Sequence, residues 1–482
     1  MSGNEPQLRD PRQPDSAPGR LHRATLQATG RDVTPAPIRI VHIGLGSFAK
    51  AHQAWYTARA DDHAEWGIAA FTVRSSAVAE QLAPQDGLFT LIERGPERDR
   101  FEIVDSIVEV NAGACVERFV ELLESPAIAI VTLTITEPGY RLRADGVPDL
   151  EDPAVQADLE VLRDALQNPQ SVLGSATPQT PLARLVLGLA ARRRAGGGRI
   201  SVVPCDNVPE NGLFVRRGVI SLAETVSPED ADWISQNVSF VSTSVDRITP
   251  RTTPADVETV LDSTGWFDAA PVVTEPFSSW VLSGEFPAGR PAWESSGAQF
   301  VDEIEPFERR KLWLLNGAHS LLAYRGIQRG YRTVAEAIGD ETLRSEVETL
   351  WDEDVRHLPA TLDLGRYRDD LLARYQNSRI EHQLAQIALE RATKLRVRFP
   401  EVALAERQEG RTAKGCATVI AAWLTLVLNG KDLGDAQSDT IQAARTESDP
   451  VVALILLIDP RLTEDDALVT LIRNLVHEYS SE

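Results

Sequence analysis

Apolar and polar positions give the chain two textures. Up to about residue 304, short β-branched runs alternate with helical periodicities. The run IRIVHI predicts a buried strand over 38–43, entering a glycine-rich turn and then a helix to about residue 60. A second strand is predicted over 67–74, a short helix over 77–82, strands over 89–93 and 101–110, and a helix over 116–123. IAIVTLTIT predicts a strand over 128–136, and helices at 153–167 and 180–195 lead to another strand at 199–204. Uninterrupted β-branched runs mark strands buried on both faces. Strand followed by helix, repeated, predicts a largely parallel sheet with helices on both faces.

From residue 305 the β-branched runs give way to helical periodicity. Helices are predicted over 306–329, 333–338, 341–357, 366–375, 378–395, 411–428, 435–446, 450–457 and 463–480. Residues 1–35, rich in Pro, Asp, Arg and Ser, read as a flexible tail. The expected organisation is therefore a tail (1–35), an α/β Rossmann-type dinucleotide-binding domain (36–304) and a mainly α-helical C-terminal substrate and catalytic domain (305–482).

Charge narrows the function. The 482 residues carry a net charge of −22, which argues against nucleic acid as a partner. No apolar run is long enough to span a membrane, and no secretory leader pattern opens the chain. Cys115, Cys205 and Cys416 are far apart in sequence, which fits a reducing, cytoplasmic setting better than a disulfide framework or a structural zinc site. Of 49 basic residues only five are lysines, at 50, 311, 394, 414 and 431. In so arginine-rich a chain a lysine stands out, because it can release its proton near neutral pH and arginine cannot.

GLGSFA (44–49) fits G-x-G-x-x-G/A between a strand and a helix. Gly44 would permit the tight turn, Gly46 the approach of a pyrophosphate to the helix N-terminus, and Ala49 close helix–strand packing. The acid that would bind the ribose of NAD is missing after the second strand, where TVRSS (72–76) carries Arg74. Arg74 either accepts the 2′-phosphate of NADP or is a strand-end charge. NAD or NADP is the expected cofactor. No metal site is expected, since the cysteines are unclustered and no histidine pair has ligand spacing. None of the seven tyrosines precedes a lysine by four residues, so Tyr-x-x-x-Lys chemistry has no candidate.

KLWLLNGAHS (311–320) offers another proton carrier. On an ideal α-helix Lys311, Asn316 and His319 fall at roughly 0°, 140° and 80°, with Lys311 and His319 about 12 Å apart along the axis. Glu308 precedes Lys311 by three residues, within reach of a proton relay. Spacing alone leaves two readings open: an ordinary helix with polar positions, or three groups facing a pocket. CDNVPENG (205–212) follows a strand with two amides and a carboxylate, and reads as either a capped turn or a ligand site.

Taken together these segments resemble the mannitol dehydrogenase family, the long-chain polyol dehydrogenases. Lys311, Asn316 and His319 match its lysine, four residues, asparagine, two residues, histidine pattern. GLGSFAKAHQA (44–54) resembles its opening, with Phe48 and His52 fitting and Ala49 and Lys50 departing in detail. QDGLFTLIERG (85–95), TLTITEPGY (132–140), CDNVPENG, VDRITP (245–250) and GRP (289–291) follow in family order. The resemblance implies reversible, metal-independent NAD(P)-dependent oxidation of a secondary alcohol on an open-chain polyol or sugar acid. It implies Lys311 as general acid/base, Asn207 and Asn316 on the reacting oxygen, and His319 orienting substrate. It adds Phe48 and Thr136 to the cofactor site, and Asp246, His382, Gln386 and Lys394 to the substrate site. A lysine suits the role because burial can bring its pKa to about 7–8. The segment 377–394 carries Gln386 where mannitol-type members have arginine, and its I-x-H-x-x-x-Q-I-A pattern resembles the fructuronate reductase branch. ERATK (390–394) departs from that branch's D-G-S-x-K. A ketose or ketouronate such as fructuronate is expected, with mannitol/fructose or a phosphorylated hexitol as alternatives and an inactive dinucleotide sensor as a further one. The expected assembly is a monomer or small homo-oligomer.

Overall fold

The structure is a computed structural model that describes residues 19–167, 177–389, 391–430 and 438–481. Its chain forms two compact units, Met1–Ile304 and Glu305–Glu482. The described strands are, in chain order, β1 (Ile38–Ile43), β2 (Gly67–Phe71), β3 (Phe89–Arg94), β4 (Asp99–Val104), β5 (Ile107–Asn111), β6 (Ile130–Leu133), β7 (Ile200–Pro204), β8 (Val238–Phe240), β9 (Ser242–Asp246), β10 (Val272–Thr274), β11 (Ser279–Ser283) and β12 (Gln299–Phe300). All belong to the first unit.

Six strands form the main sheet in the order β5-β2-β1-β6-β7-β8, every neighbouring pair parallel. Counted within the sheet this is 3-2-1-4-5-6, the doubly wound order whose direction of winding reverses between β1 and β6. Alternation along the strands sends side chains into two separate cores. Val41, Ile43, Phe71 and Leu133 pack with the helices Val116–Glu124, Pro181–Ala195 and Asn211–Val226. Ile40, Ile68, Ala70 and Ile130 pack on the other face with Tyr56, Trp280 and Trp293. That second face is therefore covered by the helix after β1, Ser47–Arg59, together with β11 and the segment around Trp293, not by helices alone. Two three-stranded sheets, β10-β3-β4 and β12-β11-β9, complete the unit.

The predicted strand over 101–110 is two strands in different sheets. β4 pairs antiparallel with β3, and β5 joins the main sheet beside β2. The corner at Asp105-Ser106 is fixed by Ser106, whose hydroxyl donates to the Ala54 carbonyl at 2.7 Å while its own carbonyl accepts from Ile68 at 2.8 Å. Apolar residues flank the corner on both sides, so the run looks continuous in sequence.

The tail expected over 1–35 is corrected for its described part. Residues 19–35 hold a helix, Arg23–Ala28, and bury Leu21, Leu26 and Val33 against Leu88. Arg23, only 7% exposed, fastens them. Its guanidinium donates to the carbonyls of Val33 (2.6 Å), Asp105 (2.7 Å) and Ile107 (3.1 Å). Three apolar residues scattered among polar ones gave no periodicity to read, and an arginine ordinarily signals solvent. Residues 1–18 lie outside the described residues.

In the second unit the helix Lys414–Leu428 is buried from Gly415 to Val427 and packs against Ala318–Gln328, Glu341–Asp354 and Asp466–Tyr479. The helix expected over 378–395 is not continuous. Short helices span Leu384–Ile387 and Arg391–Arg398. Before them, Gln383 bridges Thr333, Val334 donates to the His382 carbonyl at 3.0 Å, and Leu384 donates to that of Arg332 at 2.9 Å. Those bonds hold the stretch extended where a helix would need the same backbone groups. Of the residues described, no helix is long and apolar enough to cross a membrane.

Arg23→Ala should lower the unfolding free energy by about 2–3 kcal/mol, because it strands three carbonyls in a buried setting. Urea denaturation of the full chain measures it; a loss below about 0.5 kcal/mol would mean that residues 19–35 do not stabilise the first unit.

Candidate active site

The first unit builds a turn at the winding reversal. The Gly44 and Leu45 N–H groups both donate to the Phe71 carbonyl at the end of β2, at 2.9 and 3.0 Å. Gly44 has φ +111°, and a Cβ on it would lie 2.2 Å from the Thr134 carbonyl oxygen. Thr134 also donates its hydroxyl to the Gly44 carbonyl at 2.8 Å. Since that proton is committed, Thr134 Oγ1 accepts from His42 Nε2 at 3.1 Å, and His42 Nδ1 accepts from the Thr132 hydroxyl at 2.8 Å. His42 is thus a neutral imidazole, and burial pushes its pKa down to about 4. Gly46 is extended, and a Cβ there would meet only the Gly44 carbonyl, at 3.6 Å.

The helix that follows is continuous from Ser47 to Arg59 but widens to a π-turn over Lys50–Ala54. Buried side chains crowd this turn. Lys50 donates to the Ala270 carbonyl at 2.8 Å, and desolvation lowers its ammonium to about 8. His52 Nε2 bonds the Ser279 carbonyl at 3.0 Å, which makes Nδ1 the acceptor for the Gln53 amide. Phe48 stacks on the His52 ring, centroids 5.0 Å apart.

A cleft of about 640 Å³ opens beside the turn, lined by Gly44, the residues 72–75 after β2, the residues 134–136 after β6, and the start of the helix Pro181–Ala195. This is the crevice beyond the strand ends at a winding reversal, where doubly wound sheets hold nucleotides. Its volume suits a large ligand, and the Cβ-free turn at its edge admits a pyrophosphate. Gly44, Arg74 and Thr136 line it; Gly46, Phe48 and Ala49 do not, and Ala49 is packed inside. Spacing gave no sign of Gln179, Thr180 or Arg184, which also line it. They are brought there by Asp158, whose carboxylate accepts from the Gln179 and Thr180 N–H groups at 2.7 Å each.

At the end of β7 the segment after Cys205 is held rigidly. Tyr140 donates its hydroxyl to Asp206 Oδ2, and the Val208 N–H donates to Oδ1. Burial raises the Asp206 carboxyl to about 6 and the Cys205 thiol further above its ordinary value. Asn211, fully buried, donates to the carbonyls of Asp206 and Thr243 and accepts from the Thr243 N–H at 2.8 Å. Of the two amides read in this segment, Asn211 is therefore engaged in the scaffold and Asn207 stands exposed. Asp246 is half-buried at the end of β9, opposite Ser279.

In the second unit the expected α-helix over 306–329 has three parts: α-helical over Glu305–Arg310, π-helical over Lys311–Gly317, and α-helical again over Ala318–Gln328. The angles given by ideal α geometry are corrected accordingly. In a π-turn the bonded pair is i and i+5, which is the spacing of Lys311 and Asn316. The two side chains thus lie closer to one face than the α geometry places them. Three consecutive carbonyls near the end of the π-turn accept side-chain donors: Leu314 from Trp351 (2.8 Å), Leu315 from Tyr375 (3.0 Å) and Asn316 from Arg398 (2.8 Å). Lys311 and Asn316 are half-buried. His319 is 8% exposed, and its Nε2 has no hydrogen-bond partner among the described residues. Burial, with His382, Arg374 and Arg398 nearby, keeps its pKa far below the ordinary histidine value. The His382 ring stands edge-on to it, centroids 4.9 Å apart.

The other substrate candidates do not share that setting. Gln386 is exposed on the helix Leu384–Ile387. Lys394 donates to the carbonyls of Leu389 (2.6 Å) and Ile387 (3.4 Å), satisfying the end of that helix. Among the described residues, no group of three His, Cys, Asp or Glu side chains is placed to hold a metal ion.

Comparison with known proteins places this geometry. The sequence matches the mannitol dehydrogenase Rossmann domain over residues 38–295 and the mannitol dehydrogenase C-terminal domain over residues 303–480. The chain belongs to the mannitol dehydrogenase family. It is 34% identical over 410 residues to D-mannonate oxidoreductase of Escherichia coli (83% of this chain, 82% of the relative). It is also 34% identical over 420 residues to polyol:NADP oxidoreductase of Gluconobacter oxydans (85% and 84%). Among solved structures, the ternary complex of Pseudomonas fluorescens mannitol 2-dehydrogenase with NAD and D-mannitol superposes with a TM-score of 0.76 at 30% identity, covering 95% of this chain and 96% of that one. Like these relatives, the chain is an oxidoreductase of the mannitol dehydrogenase family.

Two measurements probe the turn. Gly44→Ala should cost at least about 2 kcal/mol of stability, from left-handed strain plus the clash with Thr134. Gly46→Ala should cost under about 1 kcal/mol in the same urea titration, since its Cβ has room. Equal losses in the two variants would contradict the assignment. Acid supplies the second probe. His42 has a folded pKa below its unfolded value, so the unfolded state binds the proton more readily and stability falls as the pH drops from about 6.5 towards 4. The stability gap between the native chain and His42→Ala should shrink over that window by on the order of 3 kcal/mol. A constant gap would show that His42 is not buried neutral.

Proposed function

We propose that the chain is a metal-independent, NAD(P)-dependent dehydrogenase that interconverts a secondary alcohol and a ketone on an open-chain polyol or sugar acid, with Lys311 as general acid/base. The observation that carries the reading is the π-turn that brings Lys311 and Asn316 towards one face, in a chain whose first unit has a cleft built for a dinucleotide. Gly44, Arg74 and Thr136 line that cleft and would hold the cofactor, which accepts or supplies the hydride when bound.

In this reading Lys311 takes the hydroxyl proton during oxidation and returns it to the ketone oxygen during reduction. The amide of Asn316 donates to that oxygen and stabilises negative charge as it develops. His319, held neutral by its surroundings, has Nε2 available for a substrate hydroxyl or carboxyl group, and His382 orients its ring. Asn207 and Asp246, on the first unit, are the further candidate residues. Gln386 and Lys394 take a lesser part, since one is exposed and the other satisfies helix-end carbonyls. A ketouronate such as fructuronate is the leading substrate, and the likeness to D-mannonate oxidoreductase supports it. Fructose is the second. The proposed setting is the cytoplasm, consistent with three unpaired cysteines.

Lys311→Ala should retain its fold and dinucleotide affinity while losing at least about 100-fold in kcat, the range typical of a positioned acid/base. Turnover within a few-fold of the native chain would eliminate the lysine mechanism. NADH or NADPH consumption with fructuronate, tagaturonate and fructose separates the substrates. Chelator should leave these rates unchanged. Cofactor binding without turnover of any of them would instead identify a sensor.

A further inference from the structure

Three arginines, Arg74, Arg141 and Arg184, line the cleft, and none of its described lining residues is Asp or Glu. We propose that this basic wall is a 2′-phosphate subsite, built to select NADP(H) over NAD(H). The proposal rests on the reading of the cleft as a dinucleotide site and goes further by assigning its polarity to named residues.

Arg74 stands just past β2, where an NAD-selective site places a carboxylate to accept from the ribose hydroxyls. Its side chain is exposed and makes no hydrogen bond or ion pair with any described residue. The hydroxyl of Thr72, two residues earlier, already accepts from the Gly113 N–H at 3.0 Å and is buried. Glu80, on the helix Ala77–Leu82, does not line the cleft and accepts from the Ser76 hydroxyl at 2.5 Å. A 2′,3′-diol would therefore find cations where it needs acceptors.

A phosphate finds the reverse. Arg184 is anchored beside Arg74: its Nε donates to the Pro178 carbonyl at 2.9 Å and its Nη1 to that of Val73 at 3.4 Å. Its nearby carboxylate, Asp158, is already accepting from two backbone N–H groups. Arg141 is paired with Asp152 at 2.9 Å and adds little charge of its own. Arg74 and Arg184 thus line the same wall from the strand end and from the helix, the first exposed and the second anchored to the Val73 carbonyl next to it. Such a pair can grip a dianionic phosphate with charge-assisted bonds.

The test uses ligands that differ only in that phosphate. Calorimetric titration of the full chain should show 2′,5′-ADP binding on the order of 10- to 100-fold tighter than 5′-AMP. The preference should fall with rising salt. In kinetics, kcat/KM with NADPH should exceed that with NADH by a similar factor. Arg74→Gln should lose most of the preference, and Arg184→Gln should lose the remainder. Equal affinity for the two nucleotides would overturn the subsite and leave the dinucleotide reading standing. Binding of neither would overturn the dinucleotide reading itself. A preference that survives in the double variant would overturn the residue assignment.

Discussion

The oxygen of the Thr134 carbonyl lies where residue 44 would need a side chain, and the geometry of the first unit follows from that contact. With no Cβ at Gly44, β1 and β6 can end side by side while the chain between them turns sharply. Thr134 then closes on the turn through its hydroxyl, and His42 and Thr132 fix which way that hydroxyl points. The carbonyl at the end of β2 takes both N–H groups of the turn. Three strand ends are tied to one point, and the cleft is the space they cannot fill.

Several polar groups in the candidate functional segments are buried or half-buried. Lys50, His52, Asp206, Asn211 and His319 are each costly to remove from water without a partner. Four have one: Lys50 on a carbonyl, His52 on a carbonyl and an amide, Asp206 on a phenol and an N–H, Asn211 on β9. His319 differs, because its Nε2 is buried without a hydrogen-bond partner among the described residues. The proposed mechanism gives that nitrogen a substrate atom as its partner. Arg74 at the cleft is the converse case, an exposed charge that water solvates until the proposed anion replaces it.

The parallel sheet, the change of texture near residue 304 and the glycine turn were legible because each is written in local periodicity or in a motif with one geometric meaning. Lys311, Asn316 and His319 were legible as a set only through the family likeness; spacing alone allowed an ordinary helix. What stayed hidden depends on distant partners. Nothing near residue 311 in sequence announces that Trp351, Tyr375 and Arg398 supply donors to three carbonyls there. Arg23 reads as solvent-exposed until the carbonyls of residues 33, 105 and 107 are brought around it. Arg184 joins the cleft through an aspartate in another helix. The helix expected over 378–395 failed for a related reason, since its backbone groups bond to residues 332–334 instead.

The two widened helical turns, Lys50–Ala54 and Lys311–Gly317, also limit how the chain can change in length. A π-turn amounts to one residue more than an α-helix needs over the same stretch. Removing one residue between 311 and 317 would let the helix relax into the commoner form, with more regular hydrogen bonding. The same deletion would turn every side chain beyond it by about 100° relative to Lys311. Under the proposed lysine mechanism this segment is therefore constrained in residue count as well as in residue identity. The lysine, asparagine and histidine set on a straight α-helix would not share the face that the mechanism requires.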